Sequence, residues 1–174
     1  SRPSISSLIS GIYDSGMELN EKEIFWNNTL PTALAAQIKR LGYQTIYWYG
    51  GNSSSGNFTK YGKVQGFDRI ENATEFCGPQ APQTWLGVYD HVFLEEAAKR
   101  IVAMEEPTFH FVYTTTNHGP YKLEDKYLDF DARRDLPGVG DDILNRKDGN
   151  KGLATYKYCD KAIFDFVDAM KAKF

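Results

Sequence analysis

Apolar positions along this chain fall into two kinds of run, and their spacing predicts its elements. Residues 108–115 are dense in β-branched and aromatic side chains, follow Pro107, and carry apolar residues on both parities. That pattern predicts a central strand covered on both faces. Residues 43–49 (Tyr-Gln-Thr-Ile-Tyr-Trp-Tyr) predict a second strand. Elsewhere the apolar residues recur at helical spacing. Residues 1–11 read as a helix with Pro3 in its first turn and Gly11 at its end, and Leu8, Ile9 and Ile12 are expected to face the core. Residues 29–41 predict a helix capped by Thr29, with Leu34, Ile38 and Leu41 on one face and Gly42 terminating it. Residues 90–104 predict another, capped by Asp90, with Phe93, Leu94, Ala97, Ala98, Ile101 and Val102 as its apolar stripe. A last helix is expected over residues 151–174, burying Leu153, Tyr156, Ile163, Phe166 and Met170.

The segments between are polar. Residues 15–28 read as an exposed connection and residues 72–83 as irregular. Residues 122–150 are long, charged and without a sustained period, which predicts a functional flap or poor order. A helix joined to a strand by a single glycine, Gly42, is half of a βαβ unit and favours a parallel sheet. At 174 residues the chain is long enough for one α/β domain with a real core.

Charge and cysteine change this picture little. A net charge of −3 gives no electrostatic reason to expect nucleic acid. No run reaches the length of a membrane-spanning helix and no signal peptide is evident, although the abrupt opening on Ser1-Arg-Pro-Ser reads as that of an excised piece. Cys77 and Cys159 lie far apart and outside any Cys-x-x-Cys pair, so they read as isolated buried thiols rather than a disulfide.

Candidate chemistry gathers where strands end. In open α/β sheets ligands bind where the chain leaves the carboxyl ends of strands. After residue 115 come Thr116-Asn-His-Gly-Pro-Tyr121, with His118 in the turn and Asn117 beside it. A histidine there can bind a metal, move a proton or hold an anionic oxygen; it can equally be an ordinary surface residue. Residues 50–57 (Gly-Gly-Asn-Ser-Ser-Ser-Gly-Asn) follow the strand over 43–49 and expose backbone N–H groups that would cradle an anion, while their composition also fits a flexible surface turn. His91 and His110 read as a helix-start and a strand residue. No zinc spacing, Walker or dinucleotide fingerprint, or Gly-x-Ser-x-Gly elbow is present. Ser1 at a helix start reads from the residues alone as a cap, because a hydroxyl is inert near neutral pH without a metal or base.

The order of motifs adds a resemblance. Ser1-Arg-Pro-Ser-Ile-Ser-Ser-Leu-Ile-Ser-Gly11 resembles the sulfatase signature Cys/Ser-x-Pro-Ser-Arg-x-x-Leu-x-Thr-Gly. Leu41-Gly-Tyr-Gln-Thr, Gly66-Phe-Asp-Arg-Ile, Trp85-Leu-Gly-Val-Tyr-Asp90, Thr115-Thr-Asn-His-Gly-Pro-Tyr121 and Ala154-Thr-Tyr-Lys-Tyr-Cys-Asp-Lys-Ala-Ile163 follow in family order. The last three are similar to the lipoteichoic-acid-synthase and phosphoglycerol-transferase branch of the sulfatase and alkaline-phosphatase superfamily. The resemblance implies a three-layer α/β/α fold with a mostly parallel sheet, of which this chain would be the central part as a single domain.

The same resemblance implies a metal-dependent phosphoglycerol or related headgroup transferase acting through a covalent hydroxyl-linked intermediate, on the extracytoplasmic face of a bacterial membrane. Ser1, or a residue just upstream of these, would be the nucleophile, Ser1 is a candidate metal ligand, and His118, Asn117 and Asn57 would contact substrate, with residues 51–58 as a pocket wall. The implied cofactor is a divalent metal (Mn, Mg, Zn or Ca) whose other ligands flank the chain. The implied partners are a phospholipid headgroup or a sulfated or phosphorylated glycan, with the membrane reached through segments outside these residues. Ile5 stands where sulfatases carry arginine. This favours the transferase branch over a sulfate-ester hydrolase; a non-catalytic binding domain is the third reading. If the sheet is parallel, Ser1, residues 50–57 and His118 are expected to converge.

Overall fold

The computed structural model describes residues 2–138 and 140–173. In chain order the elements are α1 (Arg2–Ser10), α2 (Ile24–Asn27), α3 (Leu34–Lys39), β1 (Gln44–Tyr49), α4 (Phe58–Val64), β2 (Arg69–Asn72), α5 (Ala73–Phe76), α6 (Asp90–Val102), β3 (Thr108–Tyr113), α7 (Ala132–Asp135), α8 (Asp141–Leu144) and α9 (Gly149–Lys171). They form two compact units. The first holds residues 1–76 and 104–113, the second residues 77–103 and 114–174.

The first unit is built on an open parallel sheet of order β2-β1-β3. β1 therefore holds the centre, and the expectation of a central strand at 108–115 is corrected: β3 is an edge of the described sheet. Its residues are half-buried throughout, whereas every β1 residue after Gln44 is buried. Tyr47 and Tyr49 point to one face of β1, where Phe67, Phe58, Phe111 and Tyr113 pack against them with Ile9, Leu19 and Tyr61. Alternation puts Trp48 on the other face. There its ring meets Phe76 edge-on, and its indole N–H donates to His110 Nδ1 at 3.0 Å.

Tertiary bonds redraw several predicted elements. The helix expected over 29–41 shrinks to α3, because the hydroxyl expected to cap it, and that of Thr32 within it, are used elsewhere. Thr29 donates to the Val64 carbonyl and Thr32 to the Ser10 carbonyl. Gln65, fully buried, fixes residues 25–30 by donating to the Phe25 and Asn28 carbonyls and accepting from the Leu30 N–H. Leu41 is exposed, and Ala33 and Ala35 are the buried residues of this segment. In α1, Ile9 is buried as expected but Leu8 is exposed, as is Ile12 just beyond the helix. Residues 15–28 are not a bare connection either. The Asp14 carboxylate accepts the N–H groups of Gly16, Glu18 and Leu19, and Leu19 and Asn20 are buried.

The Gly-Phe-Asp motif at 66–68 is explained by three separate contacts. Gly66 has φ +109°, and a Cβ there would lie 2.7 Å from the Ala36 nitrogen, so only glycine admits α3 this closely. Phe67 fills the core beneath Tyr47. Asp68 accepts the Thr45 N–H and hydroxyl and pairs with Lys39.

In the second unit α6 packs along α9. Phe93, Leu94, Ala97, Ala98 and Ile101 are buried on α6, as the stripe predicts, though Val102 is partly exposed. Alanine and cysteine, not the larger residues, form the buried face of α9: Ala154, Cys159 and Ala162, with Thr155. Tyr156 and Ile163, expected inside, are exposed, as are Phe164 and Val167. Both cysteines are free thiols, Cys159 buried and Cys77 half-buried. Residues 122–150 carry a 3-10 turn, α7 and α8 as short helical pieces between irregular segments, so the stretch is not wholly structureless. Among the described residues no helix is long and apolar enough to cross a membrane.

Two histidines set a pH dependence for the fold. His110 accepts from Trp48 and must keep Nδ1 unprotonated; burial, then Arg69, holds its pKa below the usual value of 6.5. His91 bonds the Tyr158 hydroxyl, and burial lowers its pKa as well, against the opposing Glu95 and Asp90 carboxylates. With both folded pKa values depressed, the unfolded chain binds more protons below about pH 6.5. Stability is therefore complete above that pH and falls as the solution is acidified. A thermal melting series from pH 7.5 to 5.5 should show this decline, and His110→Asn, which keeps an acceptor for Trp48, should flatten it. An unchanged slope in that variant would assign the decline elsewhere.

Candidate functional site

Ser1 lies outside the described residues, so its expected place is not part of the geometry that follows. Asn57 belongs to the first unit and Asn117 and His118 to the second, and each is described within its own.

In the first unit, residues 50–57 leave the carboxyl end of β1, where Gly50 N–H donates to Tyr113 C=O at 2.8 Å. The loop is pinned rather than loose. Asn52 Oδ1 accepts the Ser54 N–H and hydroxyl, and Asn20 Nδ2 donates to the Gly56 carbonyl at 2.6 Å. Asn57 sits at φ +53°, a conformation asparagine tolerates better than most residues, and leads into α4. Its amide donates to Glu21 Oε2 at 2.6 Å. One N–H is thus committed, and the carbonyl oxygen and second N–H are what Asn57 has to offer a ligand. Ile5 packs against the apolar cluster around Tyr47 and Tyr61.

In the second unit, His118 is exposed on a turn closed by Tyr121 N–H donating to His118 C=O, across a cis Gly119–Pro120 peptide. Its Nδ1 lies 2.7 Å from the Gly119 carbonyl oxygen and donates to it. That bond fixes the tautomer and leaves Nε2 outward. There the neutral ring offers a lone pair to a proton or metal, and the imidazolium offers an N–H to an anionic oxygen. The Trp85 ring stands edge-on to His118, centroids 5.4 Å apart, and is itself exposed. Asn117 lines a cavity of about 360 Å³ with Tyr121, Arg146, Tyr156 and neighbours from α9. Tyr121 is seated over Gly152, where a Cβ would meet its ring at 3.2 Å.

Behind this turn is a residue whose part the sequence did not disclose. Asp90 was expected to cap α6, yet it is the first residue of that helix and its carboxylate turns away from the helix. Oδ1 accepts the N–H groups of Thr115 and Thr116, each at 3.1 Å, and the Asp90 N–H donates to Thr116 Oγ1 at 2.9 Å. Asp90 is fully buried, and among the described residues its Oδ2 has no well-formed hydrogen bond, the Cys159 thiol being the neighbouring group that donates toward the carboxylate. Burial, followed by this carboxylate, drives the nearby Cys159 thiol well above its usual pKa, which makes it inert as a nucleophile. Trp85 and Asp90 both belong to the Trp-Leu-Gly-Val-Tyr-Asp motif, whose spacing marked the segment without revealing that Trp85 stands against His118 or that Asp90 bonds the main chain of Thr115 and Thr116. Arg146, in the stretch read as a flap, gave no signal.

Among the described residues no three His, Cys, Asp or Glu side chains gather closely enough to hold a metal ion. These residues by themselves therefore do not fit the divalent cation that the resemblance implies.

Comparison with known proteins places this geometry. Lipoteichoic acid synthase of Staphylococcus aureus is 26% identical over 147 residues, 84% of this chain and 21% of that protein. Among solved structures, the lipoteichoic acid synthase LtaP from Listeria monocytogenes superposes with a TM-score of 0.80 at 17% identity, over 99% of this chain and 40% of that one. A protein in the alkaline phosphatase superfamily from Vibrio parahaemolyticus gives 0.73 at 22% identity, over 97% of this chain and 38% of that one. The chain thus spans about a fifth of the curated relative and about two fifths of the solved neighbours, and its α/β fold is theirs. The sulfatase family profile matches residues 1–173, and on that match the chain belongs to the sulfatase family.

Proposed function

We propose that these residues are the central part of the catalytic domain of a phosphoglycerol transferase, or of a transferase of a related phospholipid headgroup. The observation that carries this reading is the state of His118: exposed, held by Gly119 so that Nε2 faces outward, and flanked by an exposed Trp85 ring. Such an imidazole suits the phosphate of a headgroup, with the indole as an apolar wall for its carbon chain. The similarity to lipoteichoic acid synthases supports the same substrate class. Ile5 favours a phosphodiester over a sulfate ester, since it packs into the apolar cluster and has no donor for a sulfate.

In this reading the Ser1 oxygen bonds to phosphorus, and the bond from phosphorus to the diacylglycerol oxygen breaks. That oxygen leaves with a proton as a free hydroxyl. An acceptor hydroxyl, on a glycan or a growing chain, then displaces Ser1 from phosphorus. His118, Asn117 and Asn57 bind the headgroup. The divalent cation of the family would take its ligands from the parent polypeptide, which would be anchored at the extracytoplasmic face of a membrane by segments beyond these residues.

The test is a substrate comparison in the complete parent protein with Mn²⁺. Diacylglycerol release from phosphatidylglycerol vesicles, with aryl sulfates left intact, is the expected result. Formylglycine at residue 1, or robust aryl-sulfate hydrolysis, would make the protein a sulfate-ester hydrolase. Neither activity, in protein shown to bind the metal, would leave a binding domain.

A further inference from the structure

The geometry points to Asp90 as a positioning residue for the transfer reaction, a buried carboxylate that clamps the backbone beneath Asn117 and His118. The inference rests on the role proposed above for His118.

A carboxylate removed from water is costly unless its oxygens are bonded. Asp90 is fully buried and spends one oxygen on two successive backbone amides, Thr115 and Thr116. Thr116 returns a bond through its hydroxyl, which accepts the Asp90 N–H. Three hydrogen bonds thus tie the first residue of α6 to the two residues that precede the candidate site. The helix itself does not need this arrangement: a side chain at this position ordinarily serves the α6 N-terminus, and here it caps nothing in its own helix.

The consequence for chemistry follows from distance along the chain. Asn117 is the next residue after Thr116, and His118 the one after that. On the far side, the turn is closed by the Tyr121 N–H and by Tyr121 seated over Gly152. His118 Nε2 is therefore fixed from both sides, by Asp90 before it and by Tyr121 after it. A reacting group must be held to within about half an ångström to act at full strength, and among the described residues the exposed imidazole is itself held by the Gly119 carbonyl and the Trp85 ring alone.

A double-mutant cycle in the complete parent protein, with Mn²⁺ and phosphatidylglycerol vesicles, tests the inference. Asp90→Ala should lower kcat/KM to within about tenfold of His118→Ala, itself expected to lose roughly 10²–10³-fold. The double variant should be no worse than His118→Ala alone by more than about tenfold, because Asp90 acts mainly through that residue and otherwise through its neighbour Asn117. Losses that multiply would make Asp90 a structural residue and overturn the inference. Asp90→Asn keeps an acceptor for both amides and should recover at least about a tenth of the parental kcat/KM. Thr116→Val loosens the same turn without removing a charge and should show the same coupling to His118; this variant decides the matter if Asp90→Ala fails to fold. Amide exchange at Thr115 and Thr116, read without substrate, should quicken in Asp90→Ala and stay slow in Asp90→Asn. Amides still protected in Asp90→Ala, or full turnover in His118→Ala, would sink the inference, whereas no diacylglycerol release by the unaltered parent protein would sink the transferase reading instead.

Discussion

Ser1→Ala in the complete parent protein is expected to reduce transfer from phosphatidylglycerol by roughly 10⁴-fold or more, the size of loss found when the nucleophile of a covalent mechanism is removed. Alanine has no oxygen to bond to phosphorus, so the two-step route closes and only attack by water or acceptor remains. A headgroup adduct at residue 1, visible by mass spectrometry in the parent protein during turnover, should vanish in the variant. Substrate binding should survive, because a methyl group in place of a hydroxymethyl leaves His118 and Trp85 untouched. Turnover retained in Ser1→Ala would place the nucleophile at another residue.

His118→Ala should cost roughly 10²–10³-fold in kcat/KM, the size of one lost donor to a charge that develops in the transition state. Its stability should not change, since the side chain is exposed and among the described residues bonds only to the adjoining Gly119 carbonyl. Thermal melting of the two proteins side by side separates the effects. His118→Gln should recover part of the loss, because glutamine carries an N–H₂ donor. A fall in kcat at constant KM would mean that the imidazole serves the transition state. A rise in KM alone would mean that it holds the headgroup equally in ground and transition states.

Much of this arrangement was legible in the sequence, for reasons that differ element by element. β1 and the stripe of α6 announced themselves because burial there is continuous, and periodicity reads burial directly. β2 escaped, since Arg-Ile-Glu-Asn is four residues long and mostly polar, an edge strand with little apolar signal. The helix over 29–41 was overdrawn because hydroxyls that resemble caps were engaged by distant carbonyls, which no local pattern records. α9 was placed correctly along the chain, but its faces were misassigned. Large apolar residues were expected inside, whereas a close helix pair is served better by Ala154 and Ala162. At the candidate site, His118 was visible from the turn that ends its strand. Asp90 was visible as a residue and not as a clamp, because its partners are backbone amides 25 and 26 residues away. Sequence records side chains, and a carboxylate whose well-formed bonds are to main chain leaves no second residue type to pair it with.

The outward apolar residues of α9 bear on how any ligand experiment with these residues must be designed. Phe164 is 64% and Tyr156 63% exposed, with Ile163 and Val167 between and beside them on the same helix. Sulfate and phosphate are natural mimics of the transferring group, but they are also excluded from protein surfaces and so strengthen apolar association. At tens of millimolar each anion therefore acts twice, once as a candidate occupant at His118 and once as a salting agent on this helix. A rise in melting temperature with phosphate does not by itself report occupancy. The salting component will persist in His118→Ala and grow with protein concentration, and occupancy will do neither.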